Sequence, residues 1–436
     1  MAGDADLIVI GAGAAGLAAA ARLSEAGARV SLLEARARIG GRLLTLRAAG
    51  YPLPIELGAE FVHGTSPAIW DVVRAAGLTT IEAGEPDLRA KGGSLTRPPD
   101  FWAGLRALVE RAERATADHT AAQLLAEFPP GDANVPALGR YLEGFHAARL
   151  DRVSAKSIAK AERGAGGSHN GAWRILDGYD AVADALRTYA GAGLDLRLNT
   201  HVRAIHWSPG RVQVIATTAG GGAARLEARA AVVTLPVGVL KARGPECPSF
   251  DPELDDKRLA LAQLEMGVAR RVVLRFREIW WEDPRPHEGG PGPVSFIHVP
   301  DASLPIWWAP APLRAPMLTG WAGGPSAERL AGLPVQRLAA AALDALAAAF
   351  GRPRDGLDAL LLGAYSHDWS ADPCACGAYS YVASGGLPAQ AELARPVAGT
   401  LFFAGEATHT GGEHATVHGA IATGHRAAAE ALAALR

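Results

Sequence analysis

The sequence predicts an α/β protein of two domains, and three observations carry the prediction. At 436 residues the chain exceeds the size at which one hydrophobic core stops growing, so two cores are the default. The N-terminal segment reads strand, glycine turn, helix, strand, a βαβ unit of the Rossmann type. After it come a stretch with helical periodicity, then a β-rich stretch, then a long helix and a last buried strand, so the parallel sheet is expected to be assembled from separated segments.

Each element has a local reason. "DLIVI" is a short apolar run suited to a buried parallel strand. "GAGAAG" follows it, the Ala-rich "LAAAARLSEAG" runs as a helix to Gly27, and "RVSLLE" is the second strand. From about Ile69 to Ala190 the pattern is helical and broken by Pro and Gly; "FWAGLRALVERAERATADHTAAQLLAEF" and "VPALGRYLEGFHAARL" have helix-like apolar spacing. "VRAIHWSPGRVQVIATTAG" reads as a hairpin and "RAAVVTLP" as a buried strand. "RRVVLRF" and "GPVSFIHVP" are further strands, "VQRLAAAALDALAAAF" a long helix, and "TLFFAGE" a buried strand before a C-terminal helix. The Pro/Gly-rich stretch from Asp283 to Pro293 reads as a loop, because strands resume at once.

Composition excludes several classes. A formal net charge of -2 offers no electrostatic case for nucleic acid, and the basic runs "KARGPE" and "GVARRVVLRF" read as solvated or strand-flanking charge. Three cysteines make no disulfide framework and fit a reducing compartment. The N-terminus lacks a basic n-region, and "RLAAAALDALAAAF" is split by Asp344, so neither a signal peptide nor a membrane span is expected. The expectation is a cytoplasmic protein with no membrane partner. Oligomeric state is not indicated.

Gly11, Gly13 and Gly16 form G-x-G-x-x-G after a strand and at the opening of a helix. The glycines permit the tight turn, the approach of backbone to a pyrophosphate and close helix packing, and the helix N-terminus offers unpaired N–H groups to phosphate. Glu34 ends the second strand 23 positions after Gly11 (34 − 11), where an acid meets ribose hydroxyls. A dinucleotide is expected, and this unit alone does not separate NAD from FAD.

"EARARIGGR" (34–42) places a Gly pair and an Arg just past the acid. With "LGAEFVHG" (57–64), "GAWRILDGYDAVADAL" (171–186), "AVVTLPVGVLK" (231–241), "DWSADPCACGAYSYV" (368–382) and "LFFAGEATHTGGEHATVHGAIATG" (401–424), the chain resembles the flavin-containing amine oxidase family from end to end. That family includes monoamine oxidases, polyamine oxidases and lysine-specific histone demethylases, and soluble bacterial-type amine oxidases are the better analogue. The resemblance implies an FAD domain at 1–80, 180–245 and 372–436, and a substrate domain of helices and a mixed sheet at 81–179 and 246–371. It places Gly11, Gly13, Gly16 and Glu34 on the ADP half of FAD, and Arg36, Gly41 and Arg42 by the pyrophosphate and flavin edge. Gly58, Ala59 and Glu60 would lie along the isoalloxazine, Val202 by the adenine, and Gly405 and Glu406 by the ribityl or pyrophosphate through backbone. Thr416 and Val417 would offer N–H groups to the pyrimidine oxygens.

The implied reaction is hydride transfer from the carbon beside a neutral amine to flavin N5, with the imine hydrolysed and O2 returning the flavin to its oxidised form as H2O2. Tyr379 matches one aromatic wall of the family's cage. Thr416 stands where monoamine oxidases have a second Tyr, which leaves room for a polyamine-like or substituted amine. Trp369 matches a Trp packed by the flavin, and His63 a position beside the substrate amine, where a pKa near neutral would help hold the amine uncharged. Glu60 is a candidate for attracting a second cationic nitrogen. The family's Lys bridged by water to N5 is replaced by Arg271, which cannot lose its proton. That departure keeps open a dehydrogenase or desaturase using another acceptor, and a flavin-binding scaffold without turnover stays open too. Ala378 stands where flavinylated relatives carry Cys, so FAD is expected to be non-covalent. The stretch from Gly405 to Gly419 holds His409, His414 and His418 with Glu406 and Glu413; the resemblance turns it to the flavin, no metal is expected, and His409 and His414 have no assigned role.

Overall fold

Five parallel strands form the sheet that the N-terminal unit begins, in the order Asp195–Arg197, Val30–Leu33, Leu7–Ile10, Ala230–Val233, Leu401–Phe403. The computed structural model describes residues 5–436 other than 85–86, 92, 97–100, 133, 165–166, 168–169, 245–246 and 283–294, so the Asp283–Pro293 loop expected above lies outside the described residues. Strand periodicity explains why these strands are continuous apolar runs. Leu7 and Val9 pack into one core with the helices Ala14–Glu25, Asp180–Tyr189 and Val417–Leu435. Ile8 and Ile10 point the other way, into a core shared with the four-stranded sheet that the hairpin Thr200–Ser208/Arg211–Thr218 builds. Gly16 is where the first helix crosses the first turn; a Cβ there would lie 1.8 Å from the Gly11 carbonyl oxygen. Gly11 itself has φ +100°, open to glycine at little cost.

A second, seven-stranded sheet runs Leu361–Tyr365, Ala269–Phe276, Met317–Gly323, Ile306–Trp308, Phe296–His298, Asp87–Lys91, Ser94–Thr96. Val272, Leu274 and Phe276 bury against the long helix Val335–Phe350, together with Trp280 and Trp307. The alternate residues, Arg271 and Val273, face away from that core. The "RR" of this strand is therefore not solvated. Arg270 is buried, donating to the Leu333 carbonyl at 2.8 Å and pairing with Asp368 at 2.9 Å. Arg271, also buried, is paired on the opposite face.

The middle of the chain departs from its helical reading in two ways. "FWAGLRALVERAERATADHTAAQLLAEF" is two helices, Phe101–Arg114 and Ala121–Leu125, because Thr120 forms a capping box with Gln123 and starts a new helix. Strands Thr80–Glu82, Asp87–Lys91, Ser94–Thr96 and Ala172–Ile175 also lie within it. Their partners are distant in sequence: Ala172–Ile175 pairs with Phe61–His63, and Asp87–Lys91 with Phe296–His298. A short polar segment becomes a strand when such an edge is available, which local propensity does not report.

The carboxyl of Glu56, only 7 % exposed, accepts from the Tyr179 amide at 2.8 Å and the Thr45 hydroxyl at 2.7 Å. Burial pushes it up to about 7 against those hydrogen bonds. A carboxyl raised in the folded state costs stability once it ionises, and the cost grows as pH rises from the unfolded value to the folded one. Glu56→Gln is therefore expected to stabilise the protein by roughly 2 kcal/mol above pH 7, with the gain vanishing towards pH 4.5. Thermal melts across that range check it, and a gain that grew on acidification would contradict the assignment.

Candidate active site

A single cavity of about 950 Å³ runs from the glycine turn to the seven-stranded sheet. At one end Gly11, Gly13 and Ala14 open the first helix, and no atom would crowd a Cβ at Gly13, so its backbone faces free space. Glu34 follows the second strand, its carboxylate held by the Ala12 amide at 2.8 Å and the Arg36 amide at 2.9 Å. Val202 and Thr234 line the same end. Arg36 pairs with Asp372 at 2.6 Å, and Asp372 also meets His367 at 2.9 Å. Burial would raise Asp372, but His367 and Arg36 outweigh it and hold it well below the carboxylate range.

Further along, one buried carboxylate ties the motifs together. Glu406 accepts from the Ser380 hydroxyl at 2.6 Å, the Ser380 amide at 3.2 Å, the Ala415 amide at 3.0 Å and Arg42 at 3.0 Å. Burial pushes its pKa up, yet Arg42 and these donors leave it below its ordinary value. Arg42 also donates to the Ala378 carbonyl at 2.8 Å, and Gly58 lies so close to the Arg42 carbonyl that a Cβ would stand 1.9 Å from it. Gly40, Gly41, Gly58, Ala59 and Gly405 all border the cavity here. Thr416 caps the helix Val417–Leu435, accepting from the Gly419 amide at 2.9 Å and donating to the Glu413 carbonyl at 2.6 Å. Its hydroxyl is occupied by the cap, and Val417 follows on the cavity wall.

The far end is aromatic. His63 packs between Phe61 and Phe145, with ring centroids 5.8 and 5.6 Å away. Phe61 contacts Trp308, and Trp308 contacts Trp321. Tyr379 donates to the Phe145 carbonyl at 2.8 Å, and Trp369 to the Leu57 carbonyl at 2.9 Å. Arg271 lies 5.4 and 5.5 Å from the Trp308 and Trp321 rings, donates to the Glu56 carbonyl at 2.7 Å and meets Glu60 at 3.4 Å.

Such a cavity fits FAD: a glycine turn at a helix N-terminus for the pyrophosphate, an acid at the second strand's end for the ribose, and a long apolar extension too large for the nucleotide half alone. The flavin-containing amine oxidoreductase family profile matches residues 14–432. The chain belongs to that family. It is an FAD-dependent amine oxidoreductase. A probable polyamine oxidase of Arabidopsis thaliana is 29% identical over 458 residues, covering 96% of this chain and 85% of the relative. A lysine-specific histone demethylase homologue of Arabidopsis thaliana is also 29% identical, over 99% of this chain but only 30% of its own length. Among solved structures, cyclohexylamine oxidase from Brevibacterium oxydans superposes with a TM-score of 0.80 at 25% identity over 99% of this chain and all of the other, and putrescine oxidase with 0.81 at 21% over 98% and 99%. No described helix is long and apolar enough to cross a membrane.

Within this amine oxidoreductase every residue assigned from sequence to FAD or to the reaction borders this cavity except Gly16, which packs beneath the turn; of the C-terminal stretch, His414 and His418 border it and His409 and Glu413 do not. Two chemical expectations change. Glu60 is already matched: Arg174 donates to it at 3.0 Å, Trp308 at 2.9 Å, and Arg271 lies beside it, so it offers no free charge to a second ammonium. His63 does not titrate near neutrality; burial pushes it down to about 4. His414 and His418 are likewise pushed down by burial, to about 4 and about 3. His409 shapes the loop, its Nδ1 accepting from the Gly411 and Glu413 amides. Sequence reasoning missed Trp308 and Trp321, which line the cavity, and Arg174, which holds Glu60 from behind it; all three are brought in by pairing of distant strands.

Glu406→Gln keeps the volume but removes the charge facing Arg42, and is expected to cost on the order of 2 kcal/mol and to loosen the cofactor. The purified variant should show a lower flavin-to-protein absorbance ratio and a lower melting temperature. Wild-type values of both would remove Glu406 from this role.

Proposed function

We propose that this chain oxidises an amine bearing a bulky apolar substituent, with O2 as the acceptor, giving an aldehyde, the released amine and H2O2. The observation that carries the reading is the continuity of one cavity from the dinucleotide turn to the aromatic end. When bound, FAD supplies the two-electron sink for the hydride of the carbon beside the nitrogen, leaving an imine that water hydrolyses. Gly11, Gly13, Glu34, Arg36 and Val202 would hold its nucleotide half, and Gly41, Arg42, Gly58, Ala59, Gly405, Thr416 and Val417 its flavin half. In this reading 1–80, 180–245 and 372–436 form the cofactor side, and 81–179 with 246–371 the substrate side. Ala378 in place of a cysteine supports non-covalent attachment.

The chain's own groups prepare the amine. Phe61, Phe145, Trp308 and Tyr379 strip water from it, which favours its neutral form. His63, held neutral, accepts a hydrogen bond from the nitrogen without donating a proton to it. Relatives named as polyamine oxidases and a neighbour named as a cyclohexylamine oxidase support a small amine, and the aromatic lining favours the substituted kind. Arg271 supports a second reading, in which another acceptor replaces O2, because its guanidinium is held by Glu60 and the Glu56 carbonyl.

Anaerobic titration with aryl, cyclic and aliphatic amines, followed by admission of air, tests both. Bleaching of the oxidised-flavin band by apolar amines and its return in air are expected, with Arg271→Lys speeding the return about tenfold. No bleaching by any amine overturns the reading, and bleaching reversed only by an artificial acceptor moves it to the second. His63 yields a separate expectation. Because burial pushes His63 down to about 4, the pH profile of kcat/KM between 5 and 9 should carry no inflection from His63. His63→Gln should lower kcat/KM without changing the profile's shape; loss of an inflection near neutrality would show that His63 titrates there.

A further inference from the structure

The cavity-facing side of the seven-stranded sheet carries one row of cross-strand neighbours. Arg271 pairs with Trp321, Trp321 with Ile306, Ile306 with His298 and His298 with Arg89. All five line the cavity. Four strand spacings make the row about 19 Å long, with Arg271, which lies by Tyr379, at one end and Arg89 at the other. Between the two arginines the row is largely apolar.

Arg140, on the helix Val135–Phe145, lines the same cavity and lies near Arg89. Burial and then the nearby charge of Arg89 pull Arg140 below its ordinary value, while Asp301, on the surface, acts the other way through space. Among the described residues no hydrogen bond or ion pair engages either guanidinium. The Nε of Arg89 is buried without an acceptor. A buried donor on a charged group is costly unless something satisfies it, and two neighbouring guanidiniums that no described carboxylate pairs with directly repel each other. The ligand chemistry that relieves both is a carboxylate, which takes arginine's paired N–H groups.

We propose that Arg89 and Arg140 form a distal anion site that selects amines carrying a terminal carboxylate beyond a long apolar spacer. The amine nitrogen lies at the His63–Tyr379 end, the spacer runs over Trp321 and Ile306, and the carboxylate meets the two guanidiniums. A second ammonium at that position would be repelled, so the site discriminates against diamines of matching length. The inference rests on the amine-oxidising reading for the orientation of the substrate, whereas the anion site itself stands apart from turnover.

The test compares dodecylamine, ω-aminododecanoate and α,ω-diaminododecane with the holoenzyme, reading the dissociation constant from anaerobic bleaching of the flavin band. ω-Aminododecanoate is expected to bind at least about tenfold more tightly than dodecylamine, and the diamine more weakly than either. In Arg140→Gln and in Arg89→Gln the ratio between the acid-tailed and plain amines should fall towards one. Equal binding of the two amines by the wild type, a preference for the diamine, or a preference that survives both substitutions would overturn the proposal. Calorimetric titration with dodecanoate, which has no amine to oxidise, separates the two readings. Binding of dodecanoate that weakens in Arg140→Gln supports the anion site even if no amine bleaches the flavin. Binding that is absent or unaffected by the substitution counts against the site even if amines are oxidised.

Discussion

The buried charge of Glu406 is the interaction on which the rest of the site depends. Its two oxygens receive donors from three parts of the chain: Arg42 after the second strand, Ser380 on the strand Ser380–Val382, and Ala415 just before the last helix. An ionised carboxylate without such partners is untenable at that depth, so the three segments must converge for any of them to be stable there. Their convergence also sets the cavity's shape. Arg42 is fixed against the Ala378 carbonyl, Gly58 presses on the Arg42 carbonyl, and Thr416 starts the last helix one residue beyond the Ala415 amide.

A second electrostatic pattern governs the aromatic end. Glu60 sits between Arg174 and Arg271, and Arg271 is covered by Trp308 and Trp321. Charges placed this deep are matched locally, while His63, His414 and His418 are driven to their neutral forms by burial. The wall at this end therefore presents ion-paired charges and uncharged rings. In the proposed reaction such surroundings would penalise a protonated amine, the form that cannot give up a hydride, so desolvation would perform the selection that an acid–base residue performs elsewhere.

Arg89 and Arg140 differ, because among the described residues neither is directly paired with a carboxylate as Arg174, Arg271 and Arg42 are. Arg271 lies on the second strand of the seven-stranded sheet and Arg89 on the strand one from its far edge.

What the sequence determined by itself is whatever local chemistry dictates. Gly11, Gly13 and Gly16 after an apolar run, with Glu34 at the end of the next, specify the βαβ turn and its ligand class, because turn sterics and an exposed helix N-terminus depend only on neighbouring residues. The buried strands 230–233 and 401–403, the hairpin 200–218 and the helix 335–350 were legible from apolar run length and period for the same reason. The family motifs named the residues that border the cavity. Only the tertiary structure decided their chemical state. Nothing near Glu60 in sequence announces Arg174, nothing near His63 announces Phe145, and the strands 87–91 and 172–175 exist because distant edges pair with them. Charge matching, burial and the row that brings Arg89 into line with Arg271 are long-range quantities, set by which strands lie side by side and which groups lose their water.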